Sequence, residues 1–280
     1  MTWSAAESSR NVPGVEHGFA SDLSFRHEPF VVGALLELGR AIERSGVTQL
    51  APDPDADQIV RLNPFALLVG VLLSQGIPAE RAFTGPLLLE DRLGHLSPMR
   101  IVQDPAQLRA AMRTRPMLHR FPDKISNWVV GAASKVVDRL GGNTALLWTD
   151  TPTAAELATR LMAFDGIGQK KAAMTVEILA RDLGVPIADL SGSDIAVDVH
   201  VRRVFTRTRL ATDRLHEIVN AARRGHPSRP GALDIPAWVV GRTWCRPRNP
   251  LCEECPIGWA CPSASPVGSV FREPTGVGRS

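Results

Sequence analysis

The sequence predicts an all-α protein, and three observations carry that expectation. Apolar residues recur mostly at helical spacing, few stretches alternate as a half-buried strand does, and Pro, Gly, Asp and Thr stand where helices start and stop. An apolar content of 44% over 280 residues is ample for a buried core.

Residues 30–45 read as an amphipathic helix, followed by a Pro- and Asp-rich loop at 51–57 that would cross between domains. Residues 65–74 (FALLVGVLLS) are apolar on every side and predict a central buried helix. Asp104 followed by Pro105 has the form of an N-cap and first-turn proline, opening a helix to about residue 113. The next helix spans 126–140, stopped by Gly141 and Gly142. Thr153 and Glu156 have capping-box spacing and open a helix ending near Phe164, and residues 169–183 form another, closed by Gly184. Between them lies Asp165-Gly166-Ile167-Gly168. Later helices are expected at 199–206, 213–224 and 235–244. Residues 1–20 and the Gly- and Ser-rich stretch after Cys261 are expected to be loosely held.

The net charge is only +3, but it is unevenly placed: residues 199–250 hold eleven arginines against three acids, while acids outnumber bases up to Val60. A basic face suits phosphate contact, and a merely solvated one has the same composition. No apolar run approaches the roughly 20 residues that span a bilayer, and MTWSAAESSR lacks a basic-then-apolar signal pattern, so a soluble cytoplasmic protein with no membrane partner is expected.

All four cysteines fall between Cys245 and Cys261, poor placement for stapling a chain of this size. Cys245, Cys252, Cys255 and Cys261 leave gaps of six, two and five residues, which one compact loop can turn towards one centre. Zinc and a [4Fe–4S] cluster both accept four thiolates, and ligand type does not choose between them. The proline-stiffened loop between the first two cysteines could present Arg246 and Arg248 to a phosphate. Gly166 and Gly168 permit a tight turn whose backbone N–H groups point outward, so Gly166, Ile167, Gly168 and Gln169 could hold one phosphate. An ordinary helical hairpin has the same pattern. Asp198, in Ala-Val-Asp-Val-His, opens a helix and would cap it.

The cysteine spacing with Pro256 after the third ligand, the run LMAFDGIGQKKAAMTVEI at 161–178 and the Asp198 segment together resemble the endonuclease III and adenine-mismatch family of helix-hairpin-helix DNA glycosylases. The resemblance covers roughly residues 30–261. It implies a [4Fe–4S] cluster acting as a structural clip, a helical barrel domain over 60–186, a discontinuous cluster domain from 21–59 and 187–264, and tails at 1–20 and 265–280. It also implies a hairpin that grips double-stranded DNA beside a damaged nucleotide, Asp198 as the catalytic carboxylate and Lys170, two residues after Gly168, as the nucleophile of a bifunctional enzyme. Lys171 is the fallback, and a solvated or phosphate-facing lysine is the plain alternative. Gln75 falls where the family has a loop that fills the gap left by a flipped nucleotide, with Ile77 as second candidate and a plain interhelical loop as the alternative.

The implied activity is base excision by a monomer, with abasic-site lyase action on damaged pyrimidines. A carboxylate stabilises the oxocarbenium-like sugar, and a neutral amine attacks its anomeric carbon to form a Schiff base. A monofunctional glycosylase for mismatched or deaminated bases and a non-catalytic damage-binding protein are the alternatives. The sequence departs from the family at Asn249, where lysine is common, in about ten extra residues near 188–195, and at 117–124, where endonuclease III has a Gly-Leu-Tyr motif and this chain has no tyrosine at all.

Overall fold

A computed structural model of the chain describes residues 19–45 and 49–264, so the expectations for the two ends lie almost wholly outside the described residues. Among the described residues the regular structure is entirely helical. Helix α1 (Phe19–Arg44) is followed by α2 (Pro54–Leu62), which occupies the stretch expected to be a domain-crossing loop. The reason is local: Asp53 accepts hydrogen bonds from the backbone N–H groups of Asp55 and Ala56, and Pro54 fills the first position, where its missing N–H costs nothing. Asn63 repeats the device at once for α3 (Pro64–Leu73), in which every residue from Phe65 to Leu73 is buried.

Two helices lie where the sequence suggested none, α4 (Ala79–Leu93) and α5 (Pro98–Gln103). Helix α4 packs closely on α3 because glycines clear the contact: a Cβ at Gly70 would meet Phe83 at 2.6 Å, and one at Gly85 would meet Leu73 at 2.4 Å. Helix α6 (Pro105–Arg113) starts from the Asp104 cap as expected, and α7 (Pro122–Leu140) begins a turn before the expected start and ends at Gly141 in the left-handed region. The Thr153–Glu156 capping box opens α8 (Ala154–Met162). Helix α9 (Gln169–Glu177) runs on into one wider π-helical turn, Ile178–Asp182. The remaining helices are α10 (Val199–Arg207), α11 (Leu215–Gly225) and α12 (Asp234–Thr243).

Buried apolar side chains form two clusters. One gathers residues between Leu50 and Leu179, and the other joins Val31 to Leu35 of α1 with residues between Ile195 and Ala260. Because Ala56 and Val60 of α2 belong to the first cluster, that unit starts near Leu50 and not at 60. In the second unit α10 and α12 run side by side in the same direction. His200 meets Trp238 and Gly241, Arg203 donates to the Gly241 and Cys245 carbonyls, and Arg207 reaches Cys245 and Arg246.

The hairpin between α8 and α9 uses its two glycines differently. Gly166 has φ +87°, and a Cβ there would lie 2.4 Å from the Trp128 ring; Gly168 is extended with open space before it. Gly166→Ala should therefore destabilise the protein by about 2 kcal/mol or more, and Gly168→Ala by well under half of that. The midpoint of urea unfolding for the two variants checks the contrast.

Candidate functional site

Asp198 is the N-cap of α10, with Oδ1 accepting from the backbone N–H groups of His200 (2.7 Å) and Val201 (2.9 Å). The cap leaves the carboxylate half-buried at the junction between the two cores. Lys170, in the first turn of α9, is exposed, whereas the adjacent Lys171 is 8% exposed. A third group that sequence reasoning missed is Asp234 at the start of α12. It is only 9% exposed, and burial pushes its carboxyl up to about 8; the charges of Glu177 and Asp198 push the same way, while Arg181 and Lys170 oppose them. Lys170 and Asp198 thus stand within electrostatic reach of the same buried carboxyl.

Glu177 was also missed. It is 2% exposed, paired with Arg229 at 2.9 Å, and a Cβ at Gly231 would meet its Oε1 at 2.3 Å. Its signal in the sequence was position, four residues after Ala173 on the apolar face of α9, where a glutamate requires a buried partner. The π-helical turn that follows carries the ion pair Arg181–Asp182 at 2.6 Å, almost wholly buried.

Gln169 uses its side chain to donate to the Ile195 carbonyl at 3.4 Å, tying the hairpin to the segment that enters Asp198. Ile167 is buried, so only its backbone can face outward. The extra residues before Asp198 lie against the start of α8: the Ala154 N–H donates to the Asp189 carbonyl (2.8 Å), the Ala188 N–H to that of Pro152 (3.0 Å), and Asp194 holds Arg223 through two bonds of 2.8 Å. Gln75 is exposed on the turn after α3, and its carbonyl is bonded to the buried His119. Glu80 at the start of α4 pairs with Arg242 of α12, a direct link between the two units.

The four cysteines line one cavity of about 260 Å³ together with Val204, Arg207 and Ile257. Burial pushes the Cys255 thiol up to about 11, and the other three thiols add to it. Such thiols become thiolates only against a positive centre, which a metal or cluster supplies. Among the described residues, no three Cys, His, Asp or Glu side chains converge as ligands of a single metal ion. Arg207 donates to Cys245 Sγ (3.5 Å) and to the carbonyls of Arg246 (2.7 Å) and Pro247 (3.0 Å), ordering the loop on which Arg246 and Arg248 stay exposed.

Residues 245–258 match the model of the iron–sulfur binding domain of endonuclease III. The whole fold is similar to that of a trapped endonuclease III–DNA covalent intermediate, with a TM-score of 0.58 and 20% identity over 82% of this chain and 93% of that one. It is equally similar to a thermostable thymine-DNA glycosylase, with a TM-score of 0.59 and 13% identity over 87% and 99% of the two chains. The class is therefore the endonuclease III fold, all-helical with a helix-hairpin-helix and a cysteine loop. Within it, residues 245–258 carry the iron–sulfur binding motif of endonuclease III. Its curated relatives include the adenine DNA glycosylases of Rattus norvegicus and Homo sapiens, each 31% identical over 136 and 137 residues. Those matches cover 49% and 46% of this chain but only 24% and 21% of the relatives. The chain thus spans about a quarter or less of their length.

Lys171 provides a check on the site's electrostatics that needs no substrate. Burial, and to a smaller degree Lys170, lowers its ammonium from 10.5 to about 8. Between those values the unfolded chain binds the proton and the folded one does not, so the cost of burying the charge, present in full below pH 8, is relieved as pH rises. Wild-type stability should gain on that of Lys171→Met by at most about 1.4 kcal/mol per pH unit above pH 8, measured by urea unfolding.

Proposed function

We propose that this chain is a DNA glycosylase with abasic-site lyase activity, acting on damaged pyrimidines in double-stranded DNA. The observation that supports the reading is that the charges of Lys170, two residues after the Gly-Ile-Gly turn, and of Asp198 both act on the buried Asp234 carboxyl. The hairpin would hold a phosphate at the start of α9, where unpaired backbone N–H groups and the helix dipole favour an anion. Asp198, held by its cap bonds, would stabilise the positive charge that develops on the sugar. Lys170, as the neutral amine, would attack the anomeric carbon while the base leaves with the bonding pair, and Asp198 would take the amine proton. Elimination from the resulting Schiff base would nick the strand. The pyrimidine preference rests on the family that the hairpin with Lys170 resembles.

A second reading draws on the likeness to adenine DNA glycosylases: Asp198 activates water and no bond to lysine forms. Borohydride trapping separates the two. Lys170→Gln should abolish trapping and nicking with little loss of lesion-DNA affinity, since one charge among many arginines is removed. Asp198→Asn should slow base release by about 10²-fold or more while tight binding survives. Base release by a wild-type protein that is never trapped would establish the second reading.

For the cofactor we propose [4Fe–4S] over zinc, because the cysteine loop matches the iron–sulfur binding domain of endonuclease III and the four thiols line one cavity. Cys245, Cys252, Cys255 and Cys261 would hold it, and the cluster would clip the basic loop in place. Anaerobically purified protein should contain about four irons and absorb broadly near 400 nm. Cys252→Ser should lose the cluster and bind DNA more weakly; stoichiometric zinc would overturn the assignment.

A further inference from the structure

The turn after α3 is exposed, yet its backbone is held from inside the molecule. Helix α3 ends at Leu73, and the Ser74 N–H donates to the Gly70 and Val71 carbonyls of its last turn. Val71 O receives the Ser74 hydroxyl at 2.7 Å, and Leu72 O receives Lys171 Nζ at 3.1 Å. Beyond the helix, Gln75 O is 2.9 Å from His119 Nε2. The Phe121 N–H donates to His119 Nδ1 at 3.0 Å, so Nε2 carries the ring hydrogen and donates to Gln75.

The two buried donors come from separate elements. His119 precedes α7 and is 0% exposed; Lys171 lies in the first turn of α9, directly behind the hairpin. An ammonium at the C-terminal end of α3 sits at the negative end of that helix. Its Nζ is also 5.4 Å from the centre of the Trp128 ring, the ring against which Gly166 of the hairpin packs. Gly76, with φ +68°, bends the turn beneath the Arg120 guanidinium, which a Cβ there would meet at 2.9 Å. Neither contact belongs to the lysine chemistry or the phosphate grip, and both act on the backbone that carries Gln75.

We propose that Lys171 and His119 form a clasp that fixes the 74–77 turn against the hairpin, making them positioning residues for the insertion of Gln75 into a duplex. The inference rests on the glycosylase reading. A tip that enters a base stack is more effective when ordered beforehand, because the cost of ordering it is then not charged to binding. The clasp joins that tip to the turn that would hold the phosphate, so the two act at a set spacing.

The test uses the full chain with its cluster and a duplex carrying a stable abasic analogue opposite 2-aminopurine. Wild-type protein should prefer this duplex to an intact one and raise the 2-aminopurine fluorescence, and Gln75→Ala should lose that signal. His119→Phe and Lys171→Met should each lower the preference by about tenfold, the loss of one buried hydrogen bond, with affinity for intact duplex unchanged. His119→Gln, which keeps a donor where Nε2 stood, should restore most of it. A purely structural role would lower both affinities together and show no such rescue. In the free wild-type protein, backbone order parameters at Gln75 and Gly76 should sit near the rigid value of about 0.85, falling towards 0.6 in Lys171→Met. The proposal is overturned if the wild-type turn is mobile, or if both substitutions keep the preference. A wild-type protein indifferent to DNA would remove the glycosylase reading and the insertion role together, and the order parameters alone would then decide whether the clasp exists.

Discussion

The close approach of α10 and α12 at Gly241 is the constraint on which the rest of the arrangement depends. A Cβ at that position would lie 2.7 Å from the His200 carbonyl oxygen, so the two helices meet only because glycine stands there. Running side by side in the same direction, they carry Asp198 and Asp234 at their N-terminal ends and lead to the cysteine loop at the other. Arg203 and Arg207 fasten the far end by donating to carbonyls of Gly241, Cys245, Arg246 and Pro247. One packing contact thus sets the distance between the carboxylates and the metal-binding loop.

Burial is the second determinant, and it acts on both signs of charge at once. It raises the Asp234 carboxyl and lowers the Lys171 ammonium, each to about 8, because low dielectric disfavours either charged form. The two shifts therefore depend on depth and not on residue type. Near Asp234, Glu177 is paired with Arg229.

Much of the helical scaffold was legible because helix starts have local chemistry. Asp104-Pro105 and Thr153-x-x-Glu156 cap helices where they stand, and Gly141 ends one. The same logic applied to Asp53-Pro54 would have found α2, but a Pro- and Asp-rich stretch reads equally as a loop when only composition is weighed. Helices α4 and α5 escaped because α4 contains Gly85 and Pro86, which break the periodic pattern. Gly85 is there for its contact with Leu73, a partner twelve residues upstream that local periodicity does not reveal.

By itself the sequence determined the helical class, the hairpin with its two glycines, the cysteine loop, and the identity of Lys170 and Asp198 as candidate residues. These are patterns of neighbours in the chain, and short-range sterics, capping and ligand spacing suffice to read them. Only the tertiary structure decided that Lys171 is buried under α3 while Lys170 is exposed, that Gln169 bonds the Ile195 carbonyl, and that Glu177 and Asp198 act electrostatically on the buried Asp234. Depth and the approach of segments distant in sequence set each of these. Whether a polar side chain faces water, a carbonyl or another charge depends on packing between whole helices, which no window of consecutive residues encodes.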